Sequence, residues 1–238
     1  MGKNKLIDFI LRPADDLLNL FFPEACVTCG TSLLNQEKVI CTICRFKLPK
    51  TNFHKWEGNP MEKHFWGRVN FERAIAYLYF GKETRVQELL HNLKYKGRDD
   101  VGTYIGELYG SDLKRDSVVS TVDFIIPVPL HPSRERFRGY NQAYMIGKGI
   151  SDATGIPVRK DFLFRGAAST TQTKKTRFER WKNVEEIFYT EKKEQLNGKH
   201  LLLVDDVMTT GSTIEACSRA LLSGTNVKLS VATIAVAM

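Results

Sequence analysis

The stretch with the clearest chemical content is Leu201-Leu-Leu-Val-Asp-Asp-Val-Met-Thr-Thr-Gly-Ser-Thr213. Its apolar residues predict a buried strand that ends in two adjacent acids, Asp205 and Asp206. Hydroxyl residues around Gly211 then form a loop that opens a predicted helix, where backbone N–H groups favour a phosphate dianion. The carboxylates can accept hydrogen bonds from vicinal ribose hydroxyls and offer oxygen ligands to Mg²⁺. The pattern therefore predicts a sugar-phosphate site; the alternative is an acidic strand end before a capped helix.

Four of the five cysteines form two CxxC pairs, Cys26-Val-Thr-Cys29 and Cys41-Thr-Ile-Cys44, with eleven residues between them. A two-residue spacer lets both sulfurs of a pair point at one ion, so the two pairs predict a tetrahedral zinc site. Because four thiolates leave no position for water, the predicted zinc is structural. The alternatives are two disulfides, which a cytosolic compartment disfavours, and a redox pair, which the doubled motif disfavours. Cys217, at helical spacing from Ile214 and Leu221, is predicted to be a core residue.

The elements that must position these residues alternate between strands and helices from Phe71 onward. Helices are predicted at 84–95, 101–113, 140–154 and 213–222, and strands at 74–80, 122–128, 161–165, 201–204 and 227–236. The buried strands are continuous apolar runs, which is typical of an α/β fold with a mostly parallel sheet flanked by helices. The predicted segments are an amphipathic helical segment (1–22), a four-cysteine zinc module (23–50), a linker rich in Pro and Gly (51–70) and the α/β domain (71–238).

The motif at 201–213 resembles the phosphoribosyl pyrophosphate (PRPP) signature of type I phosphoribosyltransferases. The resemblance implies that Asp205 and Asp206 are catalytic residues that bind the ribose hydroxyls, with Mg²⁺ as the cofactor that accompanies PRPP. It implies that the 5′-phosphate binds to Thr209, Thr210, Gly211, Ser212 and Thr213. No nucleobase-reading segment is visible after Thr213, so we expect any hood over the site to come from the zinc module or the N-terminal segment.

Two further segments fit the same family. Residues 126–131 occupy the place of its pyrophosphate-binding loop, which implies PRPP contacts at Val128, Pro129, Leu130 and Arg134. Residues 170–184 lie where type I enzymes keep a flexible active-site loop that closes over the reacting sugar. Three arginines, at 134, 136 and 138, stand at alternate positions beside the predicted pyrophosphate loop, where they suit phosphate binding. The alternative is exposed charge on an extended segment.

The combination of motifs resembles a narrower family, the ComF (ComFC) competence proteins of naturally transformable bacteria. The motifs that carry this resemblance are the four cysteines, Leu93-Lys-Tyr-Lys-Gly-Arg98, Pro127-Val-Pro-Leu-His131, Arg138-Gly-Tyr-Asn-Gln142 and the PRPP motif. The resemblance implies a cytoplasmic protein that helps take up single-stranded transforming DNA. It also implies partnership with a competence helicase of the ComFA type, through which the chain could reach the inner face of the membrane.

The formal net charge of +8 lies in one basic stretch, from Arg134 to Lys182, which holds twelve Lys or Arg against four Asp or Glu. Basic residues interleaved with aromatic ones predict a polyanionic partner such as phosphate, single-stranded DNA or an anionic membrane. A solvated, lysine-rich surface is the alternative. The candidate nucleic-acid contacts are Arg136, Arg138, Lys174, Lys175, Arg177 and Arg180. The chain has no run of 18 or more apolar residues, so we expect no transmembrane helix.

Three functions are compatible with these features. The first is a DNA-uptake protein that binds single-stranded DNA and carries a PRPP or phosphate pocket. The second is a Mg²⁺-dependent phosphoribosyltransferase with an unknown acceptor, and the third is a PRPP-sensing scaffold without turnover. We expect no glutamine-dependent transfer, because that reaction needs an N-terminal cysteine nucleophile, whereas the chain begins Met1-Gly2 and its first cysteine is a predicted zinc ligand.

Overall fold

The computed structural model describes residues 24–82, 84–166 and 188–237. The chain divides into two compact units, Met1–Leu48 and Pro49–Met238. The predicted N-terminal helical segment (1–22) and the predicted active-site loop (170–184) lie outside the described residues. Each unit is considered by itself below.

The described part of the first unit, residues 24–48, carries one helix, α1 (Thr42–Phe46), and an antiparallel bridge between Ala25 and Ser32. Val39 and Ile40 are its buried aliphatic residues next to the cysteines. So small a segment buries too little apolar surface to fold on hydrophobic burial alone. A metal ion or an equivalent constraint is therefore needed to stabilise it.

The second unit is built on a four-stranded parallel sheet in the order β1–β6–β5–β2. Its strands are β1 (Arg73–Tyr79), β2 (Phe124–Pro127), β5 (His200–Met208) and β6 (Lys228–Val236). A separate antiparallel pair joins β3 (Leu163–Arg165) to β4 (Phe188–Thr190). Residues 201–204 of β5 are fully buried, so both faces of the sheet are covered, which confirms the predicted α/β architecture.

The strand β5 is longer than predicted. The sequence places its end at Val204, but pairing with β6 continues through Asp205 opposite Thr233 and Met208 opposite Val236. The predicted end of β5 is four residues too early. The backbone N–H and C=O groups of the acids pair with β6, and this pairing does not depend on their side chains. Both carboxylates are therefore held on a rigid strand rather than on a loop.

The helices of the second unit agree with the predicted positions and include two that were not predicted. They are α2 (Pro60–Phe65), α3 (Arg85–Tyr95), α4 (Asp99–Leu113), α5 (Pro132–Arg138), α6 (Gln142–Thr154) and α7 (Ser212–Leu222). The tightest packing joins α4 to α6, where a Cβ on Gly106 would overlap the Ile146 carbonyl and one on Gly149 would overlap that of Thr103. The two backbones touch directly, so α4 and α6 form a rigid pair.

Residues 51–70, for which the sequence predicts a linker, are an ordered part of the second unit. They contain a short 3₁₀ helix, Phe53–Lys55, and α2. Asn59 caps α2, since its Oδ1 accepts hydrogen bonds from the N–H groups of Met61 at 2.9 Å and Glu62 at 3.2 Å. Three apolar side chains of the segment are almost fully buried: Phe53, Met61 and Phe65. Their burial, rather than any regular periodicity, fixes the segment.

A buried ion pair ties this segment to the sheet. The Nε of Arg73, at the start of β1, lies 3.0 Å from Glu62 Oε1, and its Nη2 donates to the Phe53 carbonyl at 3.0 Å. Both charged side chains are largely shielded from water, and Asp116 Oδ2 lies 3.7 Å from Arg73 Nη1 as a second buried partner. Removing Arg73 would therefore leave two buried carboxylates without their cation. The segment therefore has a fixed position over one edge of the sheet.

Candidate functional site

The two acids lie where the carboxyl ends of β2 and β5 meet. Pro127 is opposite Val204 in the register, and the Val128 N–H donates to the Val204 carbonyl at 2.9 Å. The loop that follows β2 therefore starts beside Asp205. Ligands of parallel α/β sheets bind at this edge, and residues 209–213 follow directly after the end of β5.

Asp205 is the more strongly perturbed acid. Burial and the adjacent charge of Asp206 raise the pKa of Asp205 from its ordinary value to about 7, although a hydrogen bond from the Asp206 N–H to its Oδ1, at 2.8 Å, works in the other direction. A carboxylate with a pKa near neutrality in a strand-end crevice is a common feature of functional sites.

Asp206 has a cationic partner that the sequence analysis did not select. The Nζ of Lys94, on α3, lies 2.9 Å from Asp206 Oδ2, and both side chains are mostly shielded from solvent. Lys94 lies in the segment Leu93-Lys-Tyr-Lys-Gly-Arg98, which carries part of the family resemblance. That motif does not indicate its contact with Asp206. The ion pair holds the Asp206 carboxylate against α3.

The predicted 5′-phosphate loop leads from β5 into α7. Gly211 caps α7 in the left-handed conformation, with φ of 74°, and the side-chain hydroxyls of Thr210 and Ser212 lie 3.0 Å apart. The exposed residues are Thr209, Thr210, Ser212 and Thr213. Because the first N–H groups of an eleven-residue helix have no partner within the helix, the loop presents donors to an anion.

The loop lies against α2, which comes from the predicted linker. A Cβ on Gly211 would lie 2.9 Å from Cε1 and Cζ of Phe65 and 3.3 Å from His64 Nε2. A real Cβ does not approach a ring so closely, so only glycine fits here. We expected any hood to come from the zinc module or the N-terminal segment, whereas within the second unit residues 60–68 reach this loop.

Hydrogen bonds reinforce that contact. His64 Nε2 lies 3.1 Å from the Thr210 carbonyl oxygen and 2.8 Å from Arg68 Nη2, and Arg68 Nη1 lies 3.2 Å from Glu215 Oε2 on α7. A single ring nitrogen cannot both donate to the carbonyl and accept from the guanidinium. The imidazole therefore satisfies one of the two partners at a time, which leaves one polar group available at the rim of the loop.

The substitution Gly211→Ala is expected to destabilise the second unit by about 1–3 kcal/mol more than Gly198→Ala. Both glycines have positive φ, 74° and 73°, so both variants share the backbone strain. A Cβ on Gly198 meets nothing within 4 Å, whereas one on Gly211 meets the Phe65 ring. Urea unfolding measures the loss of unfolding free energy in each variant. Equal losses in the two variants would show that Phe65 does not pack on the loop.

The predicted pyrophosphate loop offers fewer backbone donors than its sequence suggests. The Val128 N–H is already bonded to Val204, and Pro129 has no N–H. Of the three predicted contacts in the loop itself, Leu130 is therefore the one whose backbone N–H can still donate to a ligand. Asn141 holds the loop in place, since its Nδ2 donates to the Val128 carbonyl at 2.9 Å.

The arginines after this loop are on a helix, α5, and not on an extended segment, which was the alternative to phosphate binding. His131 caps α5 through Nδ1, which accepts the Ser133 N–H at 3.2 Å, and Gly139 ends it at φ of 82°. In a helix, Arg134 and Arg138 share a face while Arg136 points elsewhere. Arg138 contacts Gln142, with Nη1 2.6 Å from Oε1. The structure therefore does not bring the three guanidinium groups together.

The remaining predicted cations are Lys174, Lys175, Arg177 and Arg180, and they lie outside the described residues. Among the described ones, Arg134 and Arg136 are exposed, as is Phe137 with 81% of its surface accessible. Exposed aromatic rings beside cations are the usual components of single-strand binding surfaces.

The four paired cysteines form one cluster in the first unit. Their sulfurs all lie within 4.8 Å of one another, with 3.8 Å between Cys29 and Cys41, and the Cys41 N–H donates to the Cys26 sulfur at 3.3 Å. Zn–S bonds of about 2.3 Å in a tetrahedron place sulfurs about 3.8 Å apart. All five cysteines are described and none of them forms a disulfide, so the cluster is compatible with structural zinc. Cys217 is fully buried in α7, as predicted.

None of the described helices is long and apolar enough to cross a membrane.

Comparison with known proteins gives consistent results. A family model described as a phosphoribosyl transferase domain matches residues 161–238. The chain is 26% identical over 200 residues to DNA utilization protein YhgH of Escherichia coli K12, which covers 83% of each chain. It is 25% identical over 207 residues to competence protein ComFC of Bacillus subtilis, covering 80% of each. Competence protein F of Haemophilus influenzae is 34% identical over 111 residues, which cover 46% of this chain and 48% of that protein.

Proposed function

We propose that this chain, a relative of the YhgH and ComFC proteins with a phosphoribosyl transferase domain, binds single-stranded DNA and holds a phosphorylated ribose such as PRPP. The observation that carries the sugar-phosphate part is the register of β2 against β5. That register supports the proposal because the loop at 128–131 starts beside Asp205, while the loop at 209–213 follows Asp206 along the chain. The similarities confirm the resemblance to competence proteins; the ligands are the proposal.

The proposed pocket assigns a task to each group. The carboxylates of Asp205 and Asp206 accept hydrogen bonds from the ribose hydroxyls, and the N–H groups and hydroxyls of 209–213 bind the 5′-phosphate. Leu130 and Arg134 face the pyrophosphate. Mg²⁺, whose preferred ligands are oxygens, neutralises the diphosphate when bound. Lys94 orients Asp206 through their ion pair.

The DNA part of the proposal draws on the names of the relatives and on charge. On α5, Arg134, Arg136 and Phe137 are each exposed, so a base can stack on the ring while a neighbouring guanidinium group binds a phosphate. The same resemblance supports a partner helicase of the ComFA type. That partner would hold the chain in the cytoplasm, at the inner face of the membrane.

Single-stranded DNA is expected to bind with an affinity that falls steeply as salt is added. Each phosphate that a cation neutralises contributes a slope of about −0.7 to log K against log salt. Arg136→Gln removes one exposed cation of α5, so the slope should become shallower by about 0.7. Fluorescence anisotropy with a labelled 20-mer, repeated over a range of salt concentrations, measures the slope of the wild type and that of the variant.

Arg115→Gln is the matched control, because it removes an exposed arginine near the far end of α4. Its slope should equal that of the wild type. A wild-type affinity that does not change between 50 and 300 mM salt would rule out phosphate-based DNA binding.

A phosphoribosyltransferase activity is the second candidate, and the contact of Phe65 and His64 with the phosphate loop favours it. Enzymes of this kind need a segment that covers the reacting sugar. Incubation with PRPP, Mg²⁺ and a mixture of nucleobases tests for released pyrophosphate. Binding of PRPP without release would instead indicate a PRPP-sensing scaffold.

A further inference from the structure

A polar cavity of about 1040 Å³ lies beside the start of β1, at the edge of the sheet. It is lined by residues of the segment 50–57, by Arg73 and by residues 111–117 at the end of α4. Ligand pockets usually measure about 300–1,000 Å³, so the cavity has room for a nucleotide. The strand β6 separates β1 from β5, and the described lining includes none of the residues assigned above to PRPP.

The two aspartates in the lining of this cavity already have cationic partners. Asp112 Oδ2 lies 2.7 Å from Lys50 Nζ, and Asp116 Oδ2 lies 3.7 Å from Arg73 Nη1. Asp116 is buried, and its Oδ1 also accepts the Val118 N–H at 2.8 Å. These contacts fix both carboxylates and offset their charges, so neither aspartate is left to repel an anion strongly.

Two further cations line the cavity, Lys55 and Arg115. Both residues are exposed, and neither forms an ion pair with any residue that the structure describes. Glu57 is the remaining acid of the lining. His54, which also lines the cavity, is neutral at pH 7, because burial lowers its pKa below the ordinary value of 6.5. The two cations therefore face one carboxylate and are available to a phosphate group.

Trp56 gives the same cavity an aromatic wall. The residue is 45% exposed, and its ring lies 5.8 Å from the Phe53 ring at an interplanar angle of 83°. Arg73 Nη2 donates to the Trp56 carbonyl oxygen at 3.2 Å, and Arg73 is itself buried. The backbone of Trp56 is thus anchored while much of its side chain stays accessible, and nucleobases stack on exposed aromatic rings of this kind.

We propose that this cavity binds a free nucleoside monophosphate, with its base on Trp56 and its phosphate on Lys55 and Arg115. An inorganic anion would not use the ring, and an apolar compound would not use the cations. The side-chain hydroxyls of Ser111 and Ser117 also line the cavity and suit the hydroxyls of a sugar. The site does not depend on the proposed binding of a sugar phosphate at the strand-end acids.

Tryptophan fluorescence of the full chain, titrated with AMP, tests this proposal. AMP should quench the emission saturably in the wild type. The part of the quench that Trp56 supplies should be lost in Trp56→Leu and kept in Trp66→Leu, which removes an exposed tryptophan outside the cavity. Adenosine, which lacks the phosphate, should bind at least about tenfold more weakly than AMP. An AMP quench that is the same in Trp56→Leu and in the wild type would overturn the proposal.

Arg115→Gln should weaken AMP binding by about tenfold, because it removes a charge-assisted phosphate contact. Lys114→Gln is the matched control, since it removes a neighbouring exposed cation that is not in the lining, and its AMP affinity should equal that of the wild type. Both variants should keep the wild-type melting temperature. An undiminished AMP affinity in Arg115→Gln would overturn the proposal.

Two further arms separate this site from the proposed DNA and sugar-phosphate sites. A single-stranded 20-mer should not displace AMP from the cavity; displacement would show that the cavity takes a DNA strand, which contradicts a site for a free nucleotide. Asp205→Asn should keep the Trp56-dependent quench. A failure of the sugar-phosphate proposal is therefore distinguishable from a failure of this one.

Discussion

Asp205→Asn is expected to stabilise the protein at pH 8 and to abolish binding of PRPP with Mg²⁺. In the native state, burial and the neighbouring Asp206 raise the pKa of Asp205 to about 7, whereas an unfolded aspartate titrates near 3.9. Between those two values the native state holds a proton that the unfolded state has lost. Stability therefore falls as the pH rises from about 4 to 7, and it stays lower above that range.

The asparagine removes the loss of stability that comes from ionising a buried carboxylate, because it is neutral at every pH. Its Oδ1 still accepts the hydrogen bond from the Asp206 N–H. Melting temperatures at pH 5 and pH 8 measure the effect. The wild type should lose more stability than the variant over that interval, by an amount on the order of 1–3 kcal/mol. Asp152→Asn, which removes an exposed acid on α6, should follow the wild type. Identical pH profiles for Asp205→Asn and the wild type would contradict the assigned burial of this charge.

Cys44→Ser is expected to remove zinc and to unfold residues 24–48 while residues 49–238 keep their fold. A structural zinc site contributes about 10–16 kcal/mol of apparent binding free energy, and this unit has little other core. The larger unit has its own sheet and helices, in which residues 201–204 and Cys217 are fully buried. Elemental analysis should find one zinc per wild-type chain and none in the variant.

The matched control is Cys217→Ser, which changes a thiol to a hydroxyl inside the larger unit. It should keep one zinc per chain and lower the melting temperature of the larger unit instead, because a buried hydroxyl needs a partner that a thiol does not. A Cys44→Ser protein that still held one equivalent of zinc would show that the four cysteines are not the ligands.

The sheet and its main helices could be predicted because their signals are local. Val86, Leu89, Leu90 and Leu93 repeat at helical spacing and all are buried in α3, and the continuous apolar run of β5 indicates a strand that is covered on both faces. The doubled CxxC spacing predicted the cysteine cluster in the same way, since two residues between ligands suffice to specify the local turn.

The missed features depend on contacts between distant residues. Lys94 and Asp206 are on different elements, and no local pattern relates them. Residues 51–70 contain Pro and Gly at irregular positions, so periodicity indicated a linker, although the Asn59-Pro60 start of α2 was a readable signal. The His131-Pro132 start and the Gly139 end of α5 were equally readable, but the arginines were interpreted by their charge and not as part of a helix.

The central claim is that the edge formed by β2 and β5 binds a phosphorylated ribose. Isothermal titration of the purified full chain with PRPP, with and without Mg²⁺, tests it most directly. The account predicts saturable binding of one PRPP per chain that strengthens with Mg²⁺ and is absent in Asp205→Asn, which remains folded. Absence of saturable binding to the wild type, or undiminished binding to the folded Asp205→Asn variant, would contradict it.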